Sequence, residues 1–147
     1  MGFRLELLPR WLRDMAPLVF WMLLIFVLSA QSRLIKIEDA ADEKIFYKTA
    51  HFVAYAVLAW LWWRALAPQR QVAWPVLLLA FALAALYGIS DEIHQLFVPG
   101  RHGQVADVLF DAAGAWAMIL LIRRINWLRT WPDSLNLPWW GRLKREV

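Results

Sequence analysis

The run "QVAWPVLLLAFALAALYGIS", Gln71 to Ser90, is twenty residues without a charge. At 1.5 Å per residue such a helix covers ~30 Å, the thickness of a bilayer's hydrocarbon core. Pro75 falls in its first turn, where a missing N–H costs little. Few folds are open to a chain with a run like this, because lipid offers the backbone no hydrogen-bond partners and every N–H and C=O must be satisfied within a helix or a closed barrel. Met15 to Ser32, "MAPLVFWMLLIFVLSAQS", is likewise uncharged. Thr49 to Trp63, "TAHFVAYAVLAWLWW", is shorter and bracketed by Lys48 and Arg64, whose long side chains are expected to snorkel to the two interfaces. The last run, 105–122, carries Asp107 and Asp111 before "AAGAWAMILLI" and closes on Arg123 and Arg124.

The fold class that follows is all-α, an integral membrane bundle of four transmembrane helices with spans at about 15–32, 49–64, 71–90 and 105–122. These form one domain over 1–125, followed by a Trp- and Arg-rich interfacial tail over 126–147. A cleaved signal peptide is the alternative for the first run. Its continuation into Arg33, Lys36 and further apolar runs favours mature protein. Between the first two spans, "IEDAADEKIFYK" reads as a solvated connector, with a short surface helix as the alternative.

Composition agrees. Hydrophobic residues make up 61% of the 147, with eleven Trp, which is outside the ordinary soluble range. The absence of cysteine excludes disulfides, thiolate metal sites and cysteine nucleophiles. The net charge of +4 does not point to nucleic acid, because the bases flank apolar runs instead of gathering in a patch. Their distribution sets topology: eleven Lys and Arg lie in the N-terminal, second-loop and C-terminal segments, and five lie in the other two loops. The positive-inside rule then puts both termini in the cytoplasm and the "SDEIHQLFVPGRHGQ" loop outside, as expected for a multi-pass protein of the plasma membrane.

The ionisable groups within or beside the spans share a pattern. Lys48, His51 and Tyr55 are spaced i, i+3, i+7, on one helical face. On the third span Tyr87 and Asp91 are four apart, and Glu92 and Gln95 three apart. On the fourth, Asp107, Asp111 and Gly114 follow i, i+4, i+7, with Ala112, Ala113 and Ala115 beside them to allow close helix approach. A charge facing lipid costs ~2.5–3.5 kcal/mol even on lenient scales, so the three faces are expected to turn inward and meet. "VPGRHGQ" supplies the reversal through Pro99, Gly100 and Gly103. Arg101 within it offers a fork that matches a phosphate or carboxylate, and pairing with Asp91, Glu92 or Asp107 is the equal alternative. His94 and His102 lie off these faces and read as interfacial.

"LSAQS" at Leu28 to Ser32, "KTAHFVAYAVL" at Lys48 to Leu58 and "YGISDEIHQLFVPGRHGQVADVLFDAAG" at Tyr87 to Gly114 together resemble the VanZ-like family of small bacterial membrane proteins. The likeness covers most of 17–122, and its pattern E-x-x-Q-x-F-x-P-G-R-x5-D falls on Glu92, Gln95, Phe97, Pro99, Gly100, Arg101 and Asp107, with Lys48, His51 and Tyr55 upstream. The resemblance implies a multi-spanning protein of the bacterial inner membrane; the name-giving member is associated with resistance to teicoplanin. It assigns no reaction. Where the family typically has Asn, this chain has Asp111, an extra acid that calls for a neighbouring cation or a proton.

Two classes of function suit these groups. One is an outer-leaflet enzyme with His51, Glu92 and Asp107 as catalytic residues and Lys48, Tyr55, Asp91, Gln95, Arg101 and Asp111 contacting an anionic, lipid-linked or phosphate-bearing envelope substrate. The carboxylates and His51 are also compatible with a divalent cation, although the spacing across three helices does not name one. The other is a protein that binds a lipid or the antibiotic without making or breaking a bond. A small transporter acting as an oligomer is a third, weaker reading. A buried ion-pair network that only fixes packing is the alternative to all three.

Overall fold

The computed structural model describes residues 9–31, 40–67, 69–101 and 103–130. Four long helices follow one another: α1, Arg10–Ser29; α2, Ala40–Leu66; α3, Trp74–Gln95; and α4, Val105–Arg124. A single short turn of helix, α5, Asn126–Thr130, follows. Among the described residues there is no strand. Three of the helices, over Leu12–Ser29, Trp74–Gln95 and Val105–Arg124, are long and apolar enough to cross a membrane. α2 has the length, at 27 residues, but carries more polar groups.

Helix ends follow local chemistry. Pro9 is the N-cap of α1, and Pro75 lies in the first turn of α3, where the missing N–H removes no internal bond. α2 begins earlier than the expected span at 49: residues 40–48, read from sequence as connector, are its first turns. Asp42 and Glu43 stand in that turn and Arg64 in the last, each complementing the helix dipole. Residues 32–39, which take in the end of the expected first span at Ser32 and the start of that connector, lie outside the described residues, as do His102 and the tail beyond 130. α5 folds back on the bundle, since the Trp60 indole donates to the Leu128 carbonyl at 3.0 Å and Arg129 Nε to the Ile122 carbonyl at 2.7 Å.

α2 is the centre of the bundle and packs against α1, α3 and α4. Its Tyr55, Leu58, Ala59 and Trp63 are buried among Leu18, Leu77, Ala80, Ala84, Ala115, Ile119 and Ile122. Small residues allow the helices to come close. Ala80, Ala84 and Gly88 repeat every four residues along the buried face of α3. On α4 a Cβ at Gly114 would meet the Phe52 carbonyl oxygen and lie 2.8 Å from its carbon, so there the α2 and α4 backbones all but touch. Ala115 shares that buried face, while Ala113 turns outward and takes no part. The outer surface is apolar: Val19, Phe20 and Leu23 on α1, Leu79 and Leu86 on α3, and Leu120 and Leu121 on α4 are all exposed. A surface of that kind finds its complement in lipid.

Two polar layers cap this core at opposite ends. One holds Asp14 of α1, which accepts from Arg64 at 2.8 Å and Arg70 at 3.0 Å. Arg64 is therefore not at the interface as expected of a snorkelling base: it is 4% exposed and lies 4.9 Å from the Trp60 ring centroid. A buried carboxylate on another helix offers more than headgroups can. The other layer contains the sequence-predicted groups.

Candidate functional site

The α3–α4 reversal builds the rim of this second layer. Gly100 takes a positive φ of 80°, a region open to glycine at little cost. Gly103 then packs on the end of α3, where an added Cβ would lie 2.6 Å from the Glu92 carbonyl oxygen. That contact brings the Gln104 N–H to Glu92 Oε2 at 2.8 Å, so the α3 carboxylate holds the N-cap residue of α4. The turn read from "PGRHGQ" is thus also the device that sets the α3–α4 register.

Beneath it the expected faces meet. His51 of α2 and Asp111 of α4 approach to 3.0 Å between Nδ1 and Oδ1, and Asp111 is fully buried. His51, Glu92 and Asp107, one from each of α2, α3 and α4, bring a ligand atom apiece within 4.8 Å of one another. Tyr55 stacks 6.4 Å from His51 and is buried, with its hydroxyl lacking a hydrogen-bond partner among the described residues. The same is true of Asp111 Oδ2 and Glu92 Oε1. Gly88 keeps the space open, for a Cβ there would press on Asp111 Oδ2 at 3.1 Å and Tyr55 at 3.2 Å.

Asp91 and Gln95 form a second, adjoining group. Asp91 Oδ2 accepts from the Ser29 hydroxyl at 2.8 Å and the Gln95 amide at 3.1 Å, which ties α3 to the end of α1. Tyr87 adds a further tie, its hydroxyl donating to the Met22 carbonyl at 2.7 Å. The roles of Ser29 and Tyr87 toward α1 and α3 carry no sequence signal beyond the family-like "LSAQS", because a contact 62 residues apart depends on packing.

Lys48 and Arg101 are placed differently from the rest. Lys48 Nζ sits 4.7 Å over the Phe110 ring and not among the carboxylates. Arg101 pairs with none of Asp91, Glu92 or Asp107. Its Nε donates to the Gln31 carbonyl at 2.9 Å and its Nη2 reaches the Leu28 carbonyl at 3.4 Å. Gln31 lies just past the C-terminal end of α1, where a cation also complements the helix dipole. His94 stacks on Phe26 at 4.5 Å, away from His51.

Between α1, α2 and the end of α3 lies a cavity of about 240 Å³. Its walls are mostly apolar, including Ile25, Leu28 and Phe46, while His51, Asp91 and Arg101 line its polar end. His51 belongs to both places, the cavity and the cluster with Glu92 and Asp107.

An apolar-surfaced helical bundle with an ionisable cluster enclosed under one end is the plan of a small membrane protein. The chain belongs to the VanZ/LLP1 family, whose model matches residues 15–128. No curated protein and no solved structure matches it.

Proposed function

We propose that the chain crosses the bacterial inner membrane four times, with both termini cytoplasmic, and that its cavity receives an anionic, lipid-linked group of the cell envelope from the outer leaflet. α2 is then the fourth span. At 27 residues it is longer than a bilayer requires, and its place inside the bundle relieves it of the need for an all-apolar surface. Its two most costly groups are paired, His51 with Asp111 and Arg64 with Asp14. The excess of Lys and Arg in the terminal and second-loop segments supports the orientation.

The cavity is the observation that carries the functional reading. Its apolar walls suit acyl or prenyl carbons, and its polar end, with the Arg101 guanidinium and the His51 imidazole, suits a headgroup. Arg101 anchors the anion with the donors left over from the Gln31 and Leu28 carbonyls, and His51, Glu92 and Asp107 form the reacting end. Tyr55, Asp91, Gln95 and Asp111 shape and orient that end, and Lys48, over Phe110, stands outside it. Capture of an envelope lipid group, or of a lipid-tailed glycopeptide itself, is also the route by which the chain would lower susceptibility to teicoplanin.

Native mass spectrometry of the detergent-purified protein tests this with phosphatidylglycerol against phosphatidylcholine. The expected result is retention of the anionic lipid, lost in Ala50→Trp, which fills the cavity, and weakened about tenfold in Arg101→Ala, the scale of one charge-assisted contact. Equal retention of both lipids, or no effect of Ala50→Trp in a folded protein, contradicts the reading. Conversion of a bound lipid would identify an enzyme; binding that leaves the lipid intact while protecting cells from teicoplanin would identify the non-enzymatic form.

A further inference from the structure

Glu92 is 6% exposed, and only half of its carboxylate is accounted for. Oε2 accepts the Gln104 N–H; Oε1 is buried with no hydrogen-bond partner among the described residues. A charged oxygen is rarely left so, because an unsatisfied buried acceptor loses its hydration for nothing. Around it stand two more carboxylates and one imidazole. Asp107 and His51 each present a ligand atom to Glu92 with all three within 4.8 Å, and Asp111 stands behind His51 at 3.0 Å. Among the described residues no Lys or Arg forms an ion pair with any of these acids; Lys48 is over Phe110 and Arg101 on the Gln31 and Leu28 carbonyls. Three acids with one imidazole for company lack positive charge, and the orphaned oxygen marks where it is missing.

We propose that His51, Glu92 and Asp107 bind a divalent first-row cation of the Mn²⁺ or Zn²⁺ class, with Asp111 as the positioning residue that fixes the imidazole. Asp111 engages Nδ1, which leaves Nε2 as the ring nitrogen for the ion, the carboxylate–histidine–metal relay in which the outer acid sets ring orientation and basicity. One nitrogen and two carboxylate oxygens suit Mn²⁺ or Zn²⁺ better than the all-oxygen shells of Ca²⁺ and Mg²⁺. Ligands at about 2.1 Å from one ion lie no more than roughly 4.2 Å apart, a spacing that side-chain rotation brings within reach of groups already within 4.8 Å of one another. Gly88 leaves room beside Asp111, the residue that orients the imidazole, and Gly103 lets the turn seat on the Glu92 backbone. The site deepens the lipid-binding reading, since a cation there would meet the anionic end of a ligand whose apolar part fills the neighbouring cavity. It rests on that reading only for what the ion acts upon.

The test uses the full chain in detergent, stripped with EDTA and titrated with MnCl₂ in the absence of any added lipid, with bound Mn²⁺ followed by electron paramagnetic resonance. The expected result is one Mn²⁺ per chain with nitrogen coupling from a single imidazole, displaced by Zn²⁺. Glu92→Gln and Asp107→Asn should each weaken binding more than about 100-fold, and Asp111→Asn by about 10- to 100-fold, the range for loss of an outer-shell partner. Glu43→Gln, two turns before His51 on α2, should leave it unchanged. Mn²⁺ uptake no greater than in empty micelles, absence of imidazole coupling, or full affinity in folded Glu92→Gln and Asp107→Asn overturns the assignment. Should those variants fail to fold, the parent protein decides alone, through the imidazole signal and a rise in melting temperature with Mn²⁺. A protein that binds Mn²⁺ but ignores phosphatidylglycerol keeps the metal site and loses the lipid reading, and the reverse outcome separates them the other way.

Discussion

Gly114 has no room for a methyl group. Alanine favours helix over glycine by about 1 kcal/mol, so Gly114→Ala would stabilise an isolated α4. Within the bundle its Cβ would meet the Phe52 backbone, which cannot rotate aside as a side chain can. Overpacking of that kind typically costs about 1–3 kcal/mol, and with a backbone as the obstacle the clash wins. Thermal unfolding in micelles should therefore show Gly114→Ala less stable than the parent, whereas an equal or higher midpoint would mean that the α2 and α4 backbones are not in contact at Phe52. At this scale much was legible in the sequence. The i, i+4, i+7 spacing of Asp107, Asp111 and Gly114 puts all three on one face of α4, because the helical period alone makes them neighbours. Arg101 was not legible in the same way. Sequence reasoning sought it an anion among acids or phosphates, but its structural acceptors are main-chain carbonyls, which no residue letter announces.

At the scale of elements, the Asp14 layer fastens α1 to α2 and to the α2–α3 connection as the Asp91 layer fastens α1 to α3. Arg70 adopts a positive φ of 56°, unusual for a residue with a side chain, and from there donates both to the Arg64 carbonyl and to Asp14. Removing the shared carboxylate takes a charge-assisted acceptor from both guanidiniums at once. Asp14→Ala is expected to lower stability by about 3–5 kcal/mol, while replacing Asp14 and Arg64 together with leucine should cost much less than the two single changes combined. A double-mutant cycle by thermal unfolding measures this, and simple additivity would show that the pair contributes only packing. This layer escaped the sequence because Asp14 and Arg64 lie 50 residues apart, each at the edge of an apolar run where a charge ordinarily reaches water. The opposite layer was readable because three helices repeated the same polar signal near the same end. The start of α2 was misread for a local reason: "ADEK" is polar enough for a connector, yet each residue is also compatible with a first helical turn under a favourable dipole.

At the scale of the whole molecule, apolar surface outside and ionisable groups gathered at the two ends of the core make up a membrane protein whose interior is asymmetric. The basic end, with Arg64, Arg70, Arg123 and Arg124, contrasts with an acidic end holding Asp91, Glu92, Asp107 and Asp111. Under the proposed function the acidic end and its cavity open to the extracytoplasmic side and take an anionic amphiphile there. The chain has no cysteine, so a single introduced thiol reports on its surroundings without background. Ala50 is exposed and lines the cavity, and Gln69 is exposed in the α2–α3 connection at the other end. In intact spheroplasts, a membrane-impermeant maleimide should label Ala50→Cys, and a short-chain phosphatidylglycerol should slow that labelling. Gln69→Cys should react only after the membrane is opened. Labelling of Gln69→Cys but not Ala50→Cys from outside, or an Ala50→Cys rate indifferent to the lipid, would contradict the proposal.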